Sequence, residues 1–123
     1  TGQDRRQLLD TLPPALTQQD LQACQCLVKA VHVAPPLLDY LQDLLDASRC
    51  GRWFVQGLSP RAGLAILRVA QATALLAGRD YVAPDDVRDI LPQAAAHRLV
   101  PVADAGRGAH AQVLAMLEAV PLP

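Results

Sequence analysis

Arg61 closes a Ser59-Pro60-Arg61 run that opens an alanine- and leucine-rich segment. Serine is a fitting N-cap and proline a fitting first helical residue, so the run predicts a helix start with a cation in its first turn. Dipole logic disfavours a cation there. A helix N-terminus attracts anions, however, and an arginine beside it adds a bidentate phosphate partner. Arg61 thus has two readings: a phosphate-holding group, or a solvated or salt-bridged surface arginine. Cys24-x-Cys26 with His32 nearby supplies metal-binding atom types, but the spacing matches no common zinc pattern and offers no fourth ligand. Ordinary helix thiols, usually buried, are the preferred reading. Asp39, Asp43 and Asp46 share one helix side and read as a solvated face rather than a cation site. No glycine-rich phosphate loop, HExxH or GxSxG is present, and the three histidines stand in unlike contexts.

The elements that must position Arg61 follow from periodicity. A short helix is expected over Asp4–Leu12, ended by Pro13-Pro14. Thr17 caps the next, with Asp20 in its first turn; Leu21, Cys24, Leu27, Val28 and Val31 form an apolar stripe expected to be buried. Pro35-Pro36 opens a third helix, whose inward side is expected to hold Leu37, Leu38, Leu41, Leu44 and Leu45. Residues 48–58 read as a loop in which Trp53 and Phe54 either anchor on the core or present a contact surface. The longest helix starts at Ser59, carries Leu64, Leu67, Ala70, Ala74 and Leu75 with Ile66 beside them, and ends at Gly78. Pro84-Asp85-Asp86-Val87 starts another helix, which Pro92 is expected to break or restart. A last helix covers about 109–119. Strand is expected only as two or three residues near Tyr81–Val82 or Leu99–Val102.

The chain's 123 residues suit a single domain. Leucine and alanine supply 21 residues each, whereas valine, isoleucine and threonine together supply 17, a balance that favours helices. The fold class is therefore all-α, a small bundle of five or six helices. A net charge of −1 with a single lysine excludes a strongly basic nucleic-acid footprint. Ten of the eleven cations are arginine, partly a mark of a GC-rich genome. Three cysteines and no signal peptide favour a reducing compartment, hence the cytoplasm, without disulfides or metal. No apolar run reaches the ~18 residues of a membrane span.

A set of short motifs carries a resemblance. Gly57-Leu58-Ser59-Pro60-Arg61-Ala62 resembles the GxSPRA signature of MoxR-type AAA+ ATPases. Gly78-Arg79-Asp80-Tyr81-Val82 with Pro84-Asp85-Asp86-Val87 is similar to that family's GRDYVxPxDV, and His97-Arg98-Leu99 to its HRL. Val31-His32-Val33, Asp39-Tyr40 and the closing Val120-Pro121-Leu122-Pro123 match in order, so the resemblance runs from about residue 17 to the end.

The resemblance implies a C-terminal lid, the helical domain that follows a nucleotide-binding core and covers the nucleotide. It divides the chain into residues 1–16, a linker or tail of the preceding core, and residues 17–123, the lid. Arg61 takes the sensor-2 role toward the terminal phosphates of ATP, and Ser59 and Pro60 set the helix-start geometry that aims it. No catalytic residue is implied within this chain. ATP and Mg²⁺ belong to the full-length protein, as do the P-loop, the Walker B acids and the arginine finger, none of which has a counterpart here. The first residue, Thr1, fits a piece of something longer. Implied partners are the chain's own core, neighbouring subunits of a homo-oligomeric ring (commonly a hexamer), and a von Willebrand factor A domain protein. The implied work is chaperone-like assembly or insertion of metal cofactors in a bacterial cytoplasm. Arg79 and Asp80 read as structural, fixing a turn; Arg98 is either structural or faces a neighbouring subunit; the role of Arg49 stays open. Two rivals remain: a stand-alone helical interaction module without nucleotide chemistry, with Trp53 and Phe54 as its contact patch, and a nucleic-acid-binding domain, which the charge argues against.

Overall fold

The computed structural model describes residues 4–123, so the first three residues of the 1–16 segment lie outside the described residues. Six α-helices follow one another among them: α1 (Arg5–Thr11), α2 (Gln18–Ala30), α3 (Pro35–Arg49), α4 (Pro60–Leu76), α5 (Pro84–Ala95) and α6 (Ala109–Ala119). Two short strands, β1 (Phe54–Gln56) and β2 (Val100–Pro101), pair antiparallel, and a 3₁₀ turn at Ala96–Arg98 follows α5. The all-α expectation holds, with this two-stranded ribbon as the addition.

The helix starts match their residue chemistry. Thr17 caps α2 by accepting from the Asp20 N–H at 3.1 Å, while the Asp20 carboxylate accepts from the Thr17 N–H at 3.1 Å, a reciprocal capping box. Proline occupies the first position of α3, α4 and α5, where its missing N–H costs nothing. Gly78 ends α4 in the left-handed region at φ 78°; its N–H reaches the Leu75 carbonyl and the Arg79 N–H reaches the Ala74 carbonyl, both at 2.9 Å. That pattern is a Schellman closure, and it requires the residue without a Cβ.

The core lies between α3, α4, α5 and α6. Leu44, Leu91, Val87, Val113 and Met116 are fully buried there with Tyr40 and Phe54. α4 supplies small residues, Ala62, Gly63, Ala70 and Ala74, which let its neighbours come close. A Cβ added at Gly63 would lie 2.6 Å from a Leu45 methyl of α3. The carboxamide of Gln71 donates to the Val31 carbonyl at 3.0 Å and ties the end of α2 to α4. Beyond it, the chain after α2 makes an isolated parallel bridge between His32 and Tyr81. Tyr81–Val82 thus takes part in bridging, and the Leu99–Val102 stretch yields β2.

Several expectations are corrected. The α2 stripe is not buried: α2 has no buried residue, Leu21 and Leu27 are about half exposed, and only Val31, at its C-cap, enters the core. Cys24, Cys26 and Cys50 are exposed thiols, not buried ones. Leu38 and Leu64 face solvent, because they lie on the flanks rather than the centre of their helices' inner faces. Ser48 and Arg49 belong to the last turn of α3, not to a loop; position 48 continues the inward heptad spacing from Leu41, and its serine is fully buried. Pro92 does not break α5. The helix runs through it to Ala95, with the ring buried, and forgoes only the hydrogen bond that its missing N–H would have made.

The turn from α4 to α5 is held by charge. The Arg79 guanidinium donates to both carboxylate oxygens of Asp86, at 2.7 and 2.6 Å, and to the Tyr81 carbonyl at 3.2 Å. Asp86 also accepts from the Ala83 N–H at 2.7 Å. The guanidinium first, and that N–H, hold the Asp86 carboxyl below its ordinary range, against the opposing effect of burial. Arg79 therefore has the structural role expected of it; Asp80 contributes its carbonyl, which accepts from the His32 N–H at 2.8 Å.

A depressed carboxyl contributes stability above its unfolded value, about 3.9, and loses it as pH falls through the lower folded value. Urea unfolding should show Asp86→Asn less stable than the wild type at pH 7, by about 1.5–3 kcal/mol. The gap between the two should narrow as the pH is taken from 5 toward 2. A gap independent of pH would exclude the ion pair as its source.

Candidate functional site

The start of α4 is where the sequence puts it. Ser59 is the N-cap with extended backbone, its hydroxyl accepts from the Ala62 N–H at 3.1 Å, and Pro60 is the first helical residue. Arg61 follows in the first turn, exposed, and makes no hydrogen bond or ion pair with any described residue. A salt bridge is thereby removed from its rival reading, which leaves a solvated surface arginine beside the phosphate-holding one. What remains is a guanidinium held at a capped helix N-terminus with its donors unspent. An anionic group approaching that end meets the helix's positive pole and the planar fork together.

What precedes Ser59 is more tightly fixed than a loop. Leu58 is buried, and both of its backbone polar atoms are bound by α3. The Leu58 N–H donates to the Ser48 hydroxyl at 3.0 Å, and the Leu58 carbonyl accepts from Arg49 Nε at 2.6 Å. Ser48 in turn donates to the Leu45 carbonyl at 2.6 Å. Gly57 lies so close to α3 that a Cβ there would stand 2.6 Å from the Ser48 carbonyl oxygen. Ser48 and Arg49 are the residues that sequence reasoning missed. The signal was present in the leucine spacing of α3, which carries its inward face as far as Ser48.

Along α4, Ala65 and Arg68 follow Arg61 at spacings of four and seven, so they share its outward face. Two apolar grooves flank that face. One, against α5 and the 3₁₀ turn, is lined by Leu58, Ile66, Val69, Ala94 and Arg98. The other, against α3, is lined by Leu38, Leu41, Pro60, Leu64 and Leu67. Arg98 thus sits on the same side of the domain as the α4 start, with its Nε 3.3 Å from the His97 ring nitrogen.

The other candidates separate from this site. Phe54 is fully buried and Trp53 half-buried with Arg52 stacked 4.5 Å from its ring, so the aromatic pair anchors the loop. The Trp53 carbonyl accepts from Gln112 of α6 at 2.9 Å, which pins the ribbon to the last helix. Asp39, Asp43 and Asp46 are exposed, and Asp46 accepts from Gln42 at 2.9 Å. Among the described residues, no three His, Cys, Asp or Glu side chains are grouped to hold a metal ion.

Removal of the two residues should separate their roles in urea unfolding. Ser59→Ala should cost about 1 kcal/mol through the lost cap. Arg61→Ala should leave stability unchanged or raise it by up to about 0.5 kcal/mol, because a cation in the first turn opposes the dipole. A clear loss of stability in Arg61→Ala would show that the side chain is a structural one.

A model of the AAA lid domain family matches residues 46–117. The protein YeaC of Bacillus subtilis is 32% identical over 124 residues, which cover 98% of this chain and 39% of YeaC. Chaperone MoxR1 of Mycobacterium tuberculosis is 36% identical over 99 residues, 73% of this chain and 26% of that protein. The protein MoxR of Paracoccus denitrificans is 36% identical over 81 residues, 55% of this chain and 24% of that one. The chain therefore spans two-fifths or less of the curated relatives it matches. A crystal structure of a candidate ATPase from Cytophaga hutchinsonii superposes with a TM-score of 0.78 at 24% identity, covering 85% of this chain and 36% of that one. That likeness is one of fold.

Proposed function

The chain belongs to the AAA lid domain family, as found in MoxR-type ATPases, and from that premise we propose that it closes over ATP bound to a separate core and contacts the nucleotide through Arg61. The observation that carries this reading is an unpaired guanidinium on a capped helix start, at a place where it does nothing for the helix. Residues 17–123 are the lid in this reading, and residues 1–16 lead in from the core.

The residues present fit one part of the cofactor. Arg61 suits a terminal phosphate, with Ser59 and Pro60 fixing its direction; no described cluster of acids suits Mg²⁺. Bound Mg²⁺-ATP supplies the transferable phosphoryl group. Arg61 donates hydrogen bonds to oxygens of the terminal phosphates and opposes the negative charge there, a contribution that grows when water is excluded. On the same face Arg68 adds a second exposed cation seven residues from Arg61. The exposed leucines of α1 and α2 are accounted for by the same reading, as surface that the core covers in the whole protein. Ring assembly into a hexamer, chaperone-like or metal-cofactor maturation work in a bacterial cytoplasm, and a von Willebrand factor A domain partner complete the proposal.

The test is made in the full-length protein. Arg61→Ala should lower ATP turnover roughly 10²-fold. Arg61→Lys should recover part of it, since charge is kept and the fork is lost. Turnover at the wild-type rate in Arg61→Ala would overturn the reading and favour a helical interaction module instead.

A further inference from the structure

We propose that Arg49 is a positioning residue for the nucleotide, acting through the Leu58 carbonyl to hold the α4 start in the place from which Arg61 reaches phosphate. The inference rests on the assignment of Arg61 made above.

Arg49 and Arg61 lie on different helices, and the chain between them ends in Gly57-Leu58-Ser59, which passes beside the last turn of α3. Leu58 is the last residue before the N-cap. A connection of this kind has two backbone polar groups that can swing, and α3 engages both. The Ser48 hydroxyl takes the N–H at 3.0 Å, and Arg49 Nε gives to the carbonyl at 2.6 Å. The second bond is charge-assisted and short, so it is the stronger restraint.

The stem of Arg49 has a second role. Its Cγ would lie 2.5 Å from a Cβ placed on Gly57, so the side chain crosses directly over the glycine. The glycine is needed because Ser48 and Arg49 close over it, not because of its backbone angle. The α3 terminus therefore covers residue 57 and holds both polar atoms of residue 58. Residue 59 then caps the helix, and residue 61 carries the cation. Each step is fixed by the one before it. Arg49 is an exposed residue, so its contribution to the core is small, and its effect should appear in geometry at the α4 start rather than in the fold as a whole.

The variant that isolates the bond is Arg49→Met, which keeps an unbranched stem over Gly57 and removes the donor. In the full-length protein, hydrogen–deuterium exchange should speed up in peptides covering 57–63 and stay unchanged in α6. ATP turnover should fall at least tenfold with KM for ATP changed less than threefold. Adding Arg49→Met to Arg61→Ala should give no further loss, because a positioning residue has nothing left to position. Arg49→Lys, which can still donate to the carbonyl, should restore part of the turnover. Ser48→Ala offers an independent route to the same loosening at 57–63.

Unchanged exchange at 57–63 in Arg49→Met overturns the proposal whatever the turnover shows. Losses that multiply in the double variant also overturn it, since Arg49 would then act on its own. If Arg61→Ala alone has no effect on turnover, the nucleotide role of Arg61 fails first, and with it any positioning role for Arg49.

Discussion

Burial of the inner face of α4 is the constraint on which the rest of the domain depends. That face is made of residues with little or no side chain, Ala62, Gly63, Ala70 and Ala74, around Ile66. It packs against α2, α3 and α5, most extensively against α5. Small residues cost little entropy to bury and allow backbones to approach closely, so the neighbouring helices supply most of the apolar volume. Leu44 and Leu45 come from α3, Val87 and Leu91 from α5, Val113 and Met116 from α6. The outer face of α4 carries Arg61 and Arg68 beside exposed Leu64, Val69 and Leu76, none of which the core requires.

Much of this was legible from residue order. Ser59-Pro60, Pro84-Asp85-Asp86 and Gly78 mark helix ends by chemistry that acts within one turn, and such local rules survive any tertiary arrangement. The position of Arg61 at a helix start followed from the same rules. What escaped depends on partners distant in sequence. The α2 stripe has the right period yet stays exposed, because periodicity gives a face but not what covers it. Pro92 was expected to interrupt α5, yet the ring is buried and the helix accepts the loss of one hydrogen bond. Ser48 and Arg49 extend α3 past the boundary expected for the loop, and their bonds to Leu58 lie ten and nine residues away.

The two ends of α4 are fixed by different means. At its start, neutral and charged hydrogen bonds hold the connection from α3, with a hydroxyl cap completing the turn. At its finish, a glycine closes the backbone and the Arg79–Asp86 pair locks the exit to α5. Asp86 is almost fully buried, so this pair is screened by water far less than a surface one would be. Salt-bridged arginine and unpaired arginine thus mark opposite ends of one helix. The difference in their surroundings, rather than the residue type, separates a structural cation from a candidate ligand-binding one.

With both ends anchored and no proline or internal break after its first position, α4 is a stiff rod. Seventeen residues give it a length of about 25 Å. A tilt of about 5° at the Arg61 end would carry the Gly78 end through about 2 Å. The Arg79–Asp86 lock would pass that displacement to α5, since the joint cannot yield without breaking this partly buried ion pair. A displacement of the Arg61 end is therefore carried along the rod to the start of α5, where Arg79 holds Asp86.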